Sequence, residues 1–224
     1  MPEAIIFDID GTLLDSVDLH AKAWQEAFQH FGRTIPYEEI RSQIGKGGDQ
    51  LLPVFLSDEE LKQNGEAIEE YRSSLFKEKY LPKVRPFPSV RELFEKVKKC
   101  GQQVGLASSG KADEVKTYEK IANIEDLVEI KTSSADAERS KPHPDIFEAA
   151  LQRLKNDVQK KDVIVVGDSP YDGEAATRAG MRIVGVLCGG FPEPALRKAG
   201  CIAIYADPAD LLQHYDESPL APGS

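Results

Sequence analysis

Residues 4–12 read AIIFDIDGT, a short apolar run that ends in two aspartates and a glycine. Such a run is typical of a β-strand that is buried on both faces of a parallel sheet. Gly11 permits a sharp turn directly after the strand, so Asp8 and Asp10 can both serve one site at its carboxyl end. Asp-Gly at a strand end is also common in turns that have no chemical role, and the rest of the chain must distinguish these two interpretations.

Three later segments repeat the pattern of an apolar run followed by small or polar residues. They lie at residues 103–107, 163–166 and 183–187. Helical periodicity lies between them, at residues 89–99, 145–154 and 172–179. Apolar strands that alternate with helices form a parallel sheet covered on both faces. We therefore predict an α/β fold, a Rossmann-like three-layer core built around a parallel sheet.

The segment between the first two predicted strands differs from the rest of the chain. Residues 17–86 are dominated by helical periodicity, and three prolines cluster at 82–88. We predict a helical cap at 17–86, inserted into a core formed by 1–16 and 87–217. Residues 218–224 are rich in Pro, Gly and Ser, and we expect this tail to be disordered.

Charge and cysteine content narrow the classes of function. The 224 residues include 28 basic and 38 acidic side chains, a net charge of −10. This balance argues against nucleic acid or an anionic membrane as the partner. The three cysteines match no metal motif, and neither a signal peptide nor an apolar run of about 20 residues is evident. We expect a cytoplasmic protein, and a monomer by default.

Polar residues follow the predicted strands at the edge where ligands bind in such sheets. They are Asp8, Asp10, Ser108, Asp168 and Asp172, with Lys141 in a loop before a helix. Phosphoryl transfer needs an in-line nucleophile, donors or a metal that offset the phosphoryl charge, and an acid for the leaving oxygen. A carboxylate can be that nucleophile. Oxygen-rich sites suit Mg²⁺, for which Asp8 and Asp168 are the natural side-chain ligands.

Each of these residues also has a structural interpretation when it is taken alone. Ser108 could cap the following helix, and Lys141 could be a solvated surface lysine. Asp168 and Asp172 could be turn and N-cap residues. Their order along the chain and their positions at strand ends favour the chemical interpretation.

Four short motifs resemble, in the same order, those of the haloacid dehalogenase-like (HAD) hydrolase superfamily. The first is DIDGTLLDS at residues 8–16, the second is Ser108, the third is Lys141 in KPHPD, and the fourth is GDSPYD at 167–172. The first motif is quite specific, and the four together are more specific than any one alone. The resemblance covers nearly the whole chain. It is strongest to the C1-capped phosphatase branch, which includes phosphoglycolate phosphatase and β-phosphoglucomutase.

The resemblance implies a role for each matching aspartate. Asp8 would be the nucleophile, and Asp10 would be the general acid and base, with its backbone carbonyl reaching the metal. Asp168 would bind Mg²⁺. Asp172 would support the metal shell or position Lys141.

The resemblance also implies which residues bind phosphate and substrate. Ser108 and Lys141 would hold the phosphoryl oxygens, and Lys141 would offset the charge of Asp8. The remaining phosphate- or substrate-binding candidates are Thr12, which would brace the nucleophile loop, Ser109 and Gly110.

The predicted helical segment resembles the C1-type cap, which closes over the core and excludes water during transfer. Members of the β-phosphoglucomutase-like branch carry a histidine at the place of His20, although a hinge-packing or hydrogen-bonding histidine is the simpler interpretation. The loop IGKGGD at 44–49 resembles the specificity loop of this branch, with Lys46 as a candidate contact for an anionic substrate. The same loop could be only a flexible helix connection.

These observations favour a Mg²⁺-dependent phosphatase that hydrolyses a small phosphorylated metabolite through an aspartyl-phosphate, similar to phosphoglycolate phosphatase. The alternative is a sugar phosphomutase of the β-phosphoglucomutase type, which commonly has an arginine in the cap loop, near the position of Asp49 here. Dehalogenases and phosphonatases of the superfamily generally lack an acid at the place of Asp10. A non-catalytic binding protein on the same fold would have lost a catalytic residue, and none is missing here.

Overall fold

A parallel sheet forms the centre of residues 2–223, the part of the chain that the computed structural model describes. The strands are β1 Ala4–Phe7, β2 Leu14–Asp15, β3 Arg85–Pro86, β4 Gln103–Ala107, β5 Ile130–Thr132, β6 Val163–Gly167, β7 Arg182–Val186 and β8 Cys201–Tyr205. Six of these strands in the described chain form the sheet, in the order β5-β4-β1-β6-β7-β8, with every pairing parallel. The predicted α/β fold is confirmed. The strand order reverses beside β1, which is where ligands bind in open sheets of this type.

The surroundings of β1 explain why every residue of this strand is apolar. Ile5 and Phe7 point into one apolar cluster, and Ala4 and Ile6 point into the other. Phe7 stacks on Phe94, with ring centroids 4.6 Å apart. Because successive side chains of a strand face opposite sides, burial of both faces requires an apolar residue at every position.

Helices cover both faces of the sheet and form the inserted segment. Within residues 2–223 they are α1 Val17–His30, α2 Tyr37–Arg41, α3 Gly48–Phe55, α4 Asp58–Leu75, α5 Val90–Lys99, α6 Ala112–Ala122, α7 Asp145–Arg153, α8 Pro170–Ala179, α9 Glu193–Lys198 and α10 Pro208–Gln213. Helices α5, α6 and α10 contribute to one apolar cluster, and α7, α8 and α9 contribute to the other. None of the helices in the described chain combines the length and apolar character that a bilayer crossing requires.

Helices α1 to α4 lie between β1 and β4 in sequence and have an apolar cluster of their own. That cluster includes Trp24, Phe28, Leu51 and Ile68. Strands β2 and β3 pair antiparallel at the two ends of this segment, with Leu14 opposite Pro86. The chain therefore leaves the core and returns to it through one short ribbon, so the helical insert is anchored next to the end of β1.

The sheet edges and the tail differ from the sequence-based expectation. The edge strands β5 and β8 were not predicted, because β5 has only three residues and both strands are partly exposed, at Lys131 and Ile202. The prediction of a disordered tail from residue 218 is wrong for its first part. Ser218 and Leu220 are fully buried, and the side-chain amide of Gln102 donates a hydrogen bond to the Leu220 carbonyl at 2.8 Å. Met1 and Ser224, which belong to the predicted core and tail, lie outside the described residues.

Candidate active site

Asp8 follows β1 directly and places its carboxylate in a buried position at the carboxyl edge of the sheet. Its backbone N–H donates to the Val166 carbonyl at 2.9 Å, which ties the residue to the neighbouring strand β6. The Lys141 ammonium contacts Asp8 Oδ1 directly and lies 2.7 Å from Asp172 Oδ1. Lys141 is almost fully buried, so the interpretation of this residue as a solvated surface lysine is wrong.

Three carboxylates meet beside this lysine. Asp8, Asp168 and Asp172 each offer one oxygen, and these oxygens lie within 4.8 Å of one another. The Thr12 hydroxyl lies 3.1 Å from an oxygen of Asp8 and 3.1 Å from an oxygen of Asp168. The structure therefore brings together residues from the first, third and fourth predicted motifs.

The three carboxylates of this cluster can carry more negative charge than Lys141 neutralises. Burial, followed by repulsion from Asp172 and Asp8, raises the pKa of Asp168 well above its usual range. Burial also raises the pKa of Asp8 to about 7, although the charge of Lys141 acts in the opposite direction. A divalent cation would favour the ionised form of these carboxylates, and three hard oxygen donors match the preference of Mg²⁺. The donor set therefore fits Mg²⁺.

Two glycines leave the space that the Asp168 carboxylate occupies. A Cβ atom at Gly11 would lie 2.4 Å from Asp168 Oδ2, and one at Gly189 would lie 1.7 Å from the same atom. Gly11 also has a φ of +83°, a left-handed conformation that favours glycine. Gly189 follows β7, and nothing in its sequence context pointed to a role in the site.

Asp172 serves two partners with its two carboxylate oxygens. Oδ2 accepts hydrogen bonds from the Ser169 N–H at 3.1 Å and the Ser169 hydroxyl at 2.6 Å, in a capping box at the start of α8. Oδ1 lies 2.7 Å from the Lys141 ammonium. The N-cap of α8 is thus Ser169 rather than Asp172, and Asp172 lies where it can position Lys141.

The Asp10 carboxylate faces a different set of partners, on the side of the helical insert. Its Oδ1 accepts a hydrogen bond from the Ser16 hydroxyl at 2.6 Å and lies 2.9 Å from His20 Nε2. His20 stacks on Phe76, with ring centroids 3.9 Å apart, and its Nε2 lies 3.2 Å from the Tyr118 hydroxyl. Burial acts to raise the pKa of Asp10, but His20 and the hydrogen bond from Ser16 outweigh it and hold this pKa below its usual range.

Packing and hydrogen bonds thus hold His20 in place. Its Nδ1 is buried without a hydrogen-bond partner in residues 2–223 and its side chain lines the cavity, so a contact with substrate stays a prediction. The Asp10 side chain does not belong to the three-carboxylate cluster. A contact between the backbone carbonyl of Asp10 and the metal stays a prediction.

The loop after β4 supplies hydroxyl and amide groups. Ser108 Oγ accepts a hydrogen bond from the Gly110 N–H at 3.0 Å. Helix α6 has Lys111 at its N-cap, so the interpretation of Ser108 as the cap of this helix is wrong. The Ser109 hydroxyl is buried and has no hydrogen-bond partner within residues 2–223. Ser109 and Gly110 line a cavity that also reaches Asp8.

Lys46 lies at the insert side of this cavity. Its ammonium donates to the Gln43 side-chain oxygen at 2.7 Å and lies 4.8 Å from the centre of the Tyr171 ring. Burial lowers the pKa of Lys46. The charge of Glu174 acts on Lys46 in the opposite direction. A contact of Lys46 with an anionic substrate stays a prediction.

The helical insert touches the loops that carry the site residues. The hydrogen bonds that join them run from Ser140 N–H to Asp49 Oδ2 (3.1 Å), from Tyr171 hydroxyl to Ser42 carbonyl (2.6 Å) and from Arg41 guanidinium to Gly189 carbonyl (3.1 Å). These contacts lie next to Lys141, Asp172 and Asp168, respectively. The insert is therefore seated on the site.

Sequence reasoning missed two cations that line the cavity, Lys111 at the N-cap of α6 and Arg72 of α4. Its guanidinium carbon lies 4.8 Å from the centre of the Trp24 ring, and both residues line the cavity together with the buried Glu114. Helix α4 lies in a charged stretch that is typical of a solvated helical face. Only the fold shows that Arg72 points away from solvent, since no motif marks it.

Comparison with known proteins agrees with these motifs. The profile of a family described as haloacid dehalogenase-like hydrolase matches residues 5–186. A phosphorylated carbohydrates phosphatase of Thermotoga maritima is 28% identical over 214 residues, which cover 94% of this chain and 96% of that protein. A phosphoglycolate phosphatase of Nitrosospira multiformis is 29% identical over 189 residues, which cover 81% of each. The crystal structure of a hydrolase from Pseudomonas syringae is 31% identical with a TM-score of 0.85, and the match covers 96% of this chain and 98% of that one. On this evidence the chain belongs to the haloacid dehalogenase-like hydrolase family.

Proposed function

We propose that this protein is a Mg²⁺-dependent phosphatase that hydrolyses a small phosphate monoester through an aspartyl-phosphate. One observation carries the proposal. The buried Asp8 carboxylate contacts Lys141 at the end of β1, and Asp10, two residues later, faces the same cavity. A nucleophile and an acid–base group thus face one cavity from different positions, and phosphate ester hydrolysis requires both groups. The phosphatase names of two relatives support the proposal.

In the first step, an oxygen of Asp8 forms a bond to phosphorus while the bond between phosphorus and the ester oxygen breaks. Asp10 gives a proton to that oxygen, so the organic part leaves as an alcohol. Because its neighbours hold the pKa of Asp10 low in the free site, this step requires that the negative charge of the bound phosphoryl group raise that pKa. Lys141 offsets charge on the phosphoryl oxygens, and the Ser108 and Ser109 hydroxyls donate hydrogen bonds to them. Mg²⁺, held by Asp8, Asp168 and Asp172 or by part of this set, supplies further charge neutralisation when it is bound.

In the second step, water attacks phosphorus and gives a proton to the Asp10 carboxylate. The bond between phosphorus and Asp8 breaks, which releases inorganic phosphate and restores both aspartates. Ser16 and His20 hold the Asp10 carboxylate in place for both proton transfers. Their hydrogen bonds orient the one group that must act twice.

We also propose that residues 17–86 act as a cap on a core formed by 1–16 and 87–217, with the hinge at the β2–β3 ribbon. The three hydrogen bonds between insert and core loops support this division. A cytoplasmic, monomeric protein remains our expectation, and its three cysteines are free thiols.

Phosphate release from a panel of monoesters with Mg²⁺ tests the proposal. The panel contains 2-phosphoglycolate, hexose phosphates, nucleoside monophosphates and p-nitrophenyl phosphate, and chelation by EDTA should stop every reaction. Asp8→Asn should abolish turnover, because the amide is a far weaker nucleophile. Asp58→Asn, an equal change at an exposed position of α4, should leave turnover unchanged.

Three outcomes of this experiment would count against the proposal. Full activity of Asp8→Asn would refute the mechanism. Conversion of β-glucose 1-phosphate to glucose 6-phosphate with little phosphate release would identify a phosphomutase instead. Binding of phosphate esters without any turnover by the wild type would identify a non-catalytic protein.

A further inference from the structure

Tyr118 of α6 places a phenol hydroxyl beside the acid–base group, and neither the sequence motifs nor the proposed mechanism gives it a role. Its ring belongs to the apolar cluster on one face of the sheet, and the side chain is almost fully buried. The hydroxyl lies 3.2 Å from Nε2 of His20, which itself lies 2.9 Å from Asp10 Oδ1. Phenylalanine would fill the same apolar space, so it is the hydroxyl that requires an explanation.

The Tyr118 hydroxyl is a neutral hydrogen-bond donor. Burial, followed by the negative charges of Asp10 and Glu114, raises the pKa of Tyr118 well above its usual range, and a hydrogen bond to Asp10 acts in the same direction. The charge of Arg72 acts against this shift without reversing it. Because an ionised carboxylate can only accept, the hydroxyl is the donor in its hydrogen bond with Asp10.

The same rule places a hydrogen on Nε2 of His20. This nitrogen faces the Asp10 carboxylate and must donate to it, and the Tyr118 oxygen lies close enough to accept a share of the same N–H. The other ring nitrogen, Nδ1, is buried and has no hydrogen-bond partner within residues 2–223. The imidazole is therefore held by its stacking on Phe76 of the insert and by hydrogen bonds at Nε2 to two residues of the core.

The cations around Asp10 act on it without orienting it. Arg72 favours the ionised form of Asp10 through its charge. Lys46 and Lys111 are further cations on the wall of the same cavity. Within residues 2–223, no hydrogen bond joins any of these three cations to the Asp10 carboxylate. A charge acts over distance in all directions, whereas a hydrogen bond depends on angle, so orientation of the carboxylate must come from its hydrogen-bond donors.

We propose that Tyr118 is a positioning residue for Asp10, because its hydroxyl holds the His20 imidazole and the Asp10 carboxylate in the orientation that proton transfer to the ester oxygen needs. This inference rests on the proposed phosphatase activity. Tyr118 acts through Asp10 and does not need to touch the substrate. Loss of its hydroxyl should therefore slow a step in which Asp10 gives a proton, and should leave a step without that proton transfer nearly unchanged.

Two esters of similar size test the inference. Benzyl phosphate has an alkoxide leaving group that must take a proton, whereas p-nitrophenolate leaves from p-nitrophenyl phosphate as a stable anion. The value of kcat/KM reports the first step, in which this difference matters. We expect Tyr118→Phe to lower kcat/KM for benzyl phosphate by about 3- to 10-fold, the effect of losing one neutral hydrogen bond, and to change the value for p-nitrophenyl phosphate little.

Tyr215→Phe is the matched control. Tyr215 is as buried as Tyr118 and belongs to the same apolar cluster, but its hydroxyl donates to Gln102 at the amino end of β4, the edge of the sheet opposite the site. This variant should leave kcat/KM for both esters unchanged. Equal losses on the two esters in Tyr118→Phe, or no loss on benzyl phosphate, would overturn the inference, while loss of activity in Asp8→Asn would still uphold the phosphatase proposal.

Nuclear magnetic resonance keeps the inference testable if neither ester is hydrolysed. Proton–nitrogen correlation spectra of the imidazoles report the surroundings of His20, and carbon spectra of the carboxyl groups report those of Asp10. Signals of both residues that move in Tyr118→Phe, but not in Tyr215→Phe, would support the positioning of Asp10 even though the proposed activity had failed. Signals that stay in place in Tyr118→Phe would overturn the inference.

Discussion

At the residue scale, the site depends on how a few buried charges are balanced. Three carboxylates share one lysine, and burial raises the pKa of Asp8 to about 7 and that of Asp168 well above its usual range. If Asp8 is the nucleophile, as we propose, it must be ionised, and a divalent cation bound to the cluster would favour that form. The Asp168 carboxylate can take its place in this cluster only because Gly11 and Gly189 lack side chains.

Gly189→Ala tests this requirement for space. The new methyl group would lie 1.7 Å from Asp168 Oδ2, so the carboxylate must move away. We expect the Mg²⁺ concentration for half-maximal activity to rise by about 10- to 100-fold, the usual effect of disturbing the surroundings of a metal ligand. Mg²⁺ titration of the activity measures this.

Gly65→Ala in α4 is the control, because its methyl group would make only ordinary contacts at 3.7 Å and 3.9 Å. It should leave the Mg²⁺ requirement unchanged and raise stability slightly. An unchanged Mg²⁺ requirement in Gly189→Ala would show that Asp168 does not hold the metal.

At the element scale, the start of α8 links helix stability to the site. The same Asp172 carboxylate completes the capping box with Ser169 and faces Lys141. Helix α4 begins with an equivalent capping box, formed by Ser57 and Glu60, but this one lies on the exposed side of the insert. The capping box of α8 thus contacts the candidate site, whereas that of α4 lies at an exposed position.

Variants of the two capping boxes distinguish an effect on the free energy of unfolding from an effect on catalysis. Ser169→Ala and Ser57→Ala should each lower the free energy of unfolding by about 1 kcal/mol, the usual effect of losing an N-cap. Only Ser169→Ala should also lower kcat, because Asp172 loses a hydrogen bond of 2.6 Å that holds it toward Lys141. Urea denaturation and steady-state kinetics measure the two effects. Equal kcat values for the two variants would show that the capping box does not position Lys141.

At the scale of the whole molecule, the sequence predicted the layers and most of the core side of the site. Strands buried on both faces have an uninterrupted apolar sequence, and their carboxyl ends carry Asp8, Ser108 and Asp168. The edge strand β8 was missed because half of Ile202 is exposed there and the apolar pattern is weak. Arg72 was missed for another reason. Trp24, on which it stacks, lies on α1, and local sequence does not show which face of α4 turns inward.

The contact between insert and core is likewise visible only in the whole molecule. Gly47 sits against Ser140, the residue before Lys141, and a Cβ atom at Gly47 would lie 2.1 Å from Ser140 Oγ and 2.5 Å from Ser140 Cβ. The backbone of Gly47 has a φ of −75°, which alanine adopts without strain. A methyl group at this position would therefore meet Ser140 of the core, and also Asp49 Oδ1 of the insert at 2.7 Å, so it would hinder the close approach of the insert to the core.

Gly47→Ala tests whether this approach matters for catalysis. We expect kcat to fall by about 10- to 100-fold, as displacement of catalytic groups by about 1 Å can produce, while the melting temperature changes by only a few degrees. Ser140→Gly removes the core side chain that the new methyl group meets, although not Asp49 Oδ1, so the double variant should recover part of the lost activity. A cycle of the two single variants and the double variant measures that recovery. If the effects of the two substitutions simply add, closure at Gly47 and Ser140 does not control the reaction, and the insert must act through its cavity-lining residues alone.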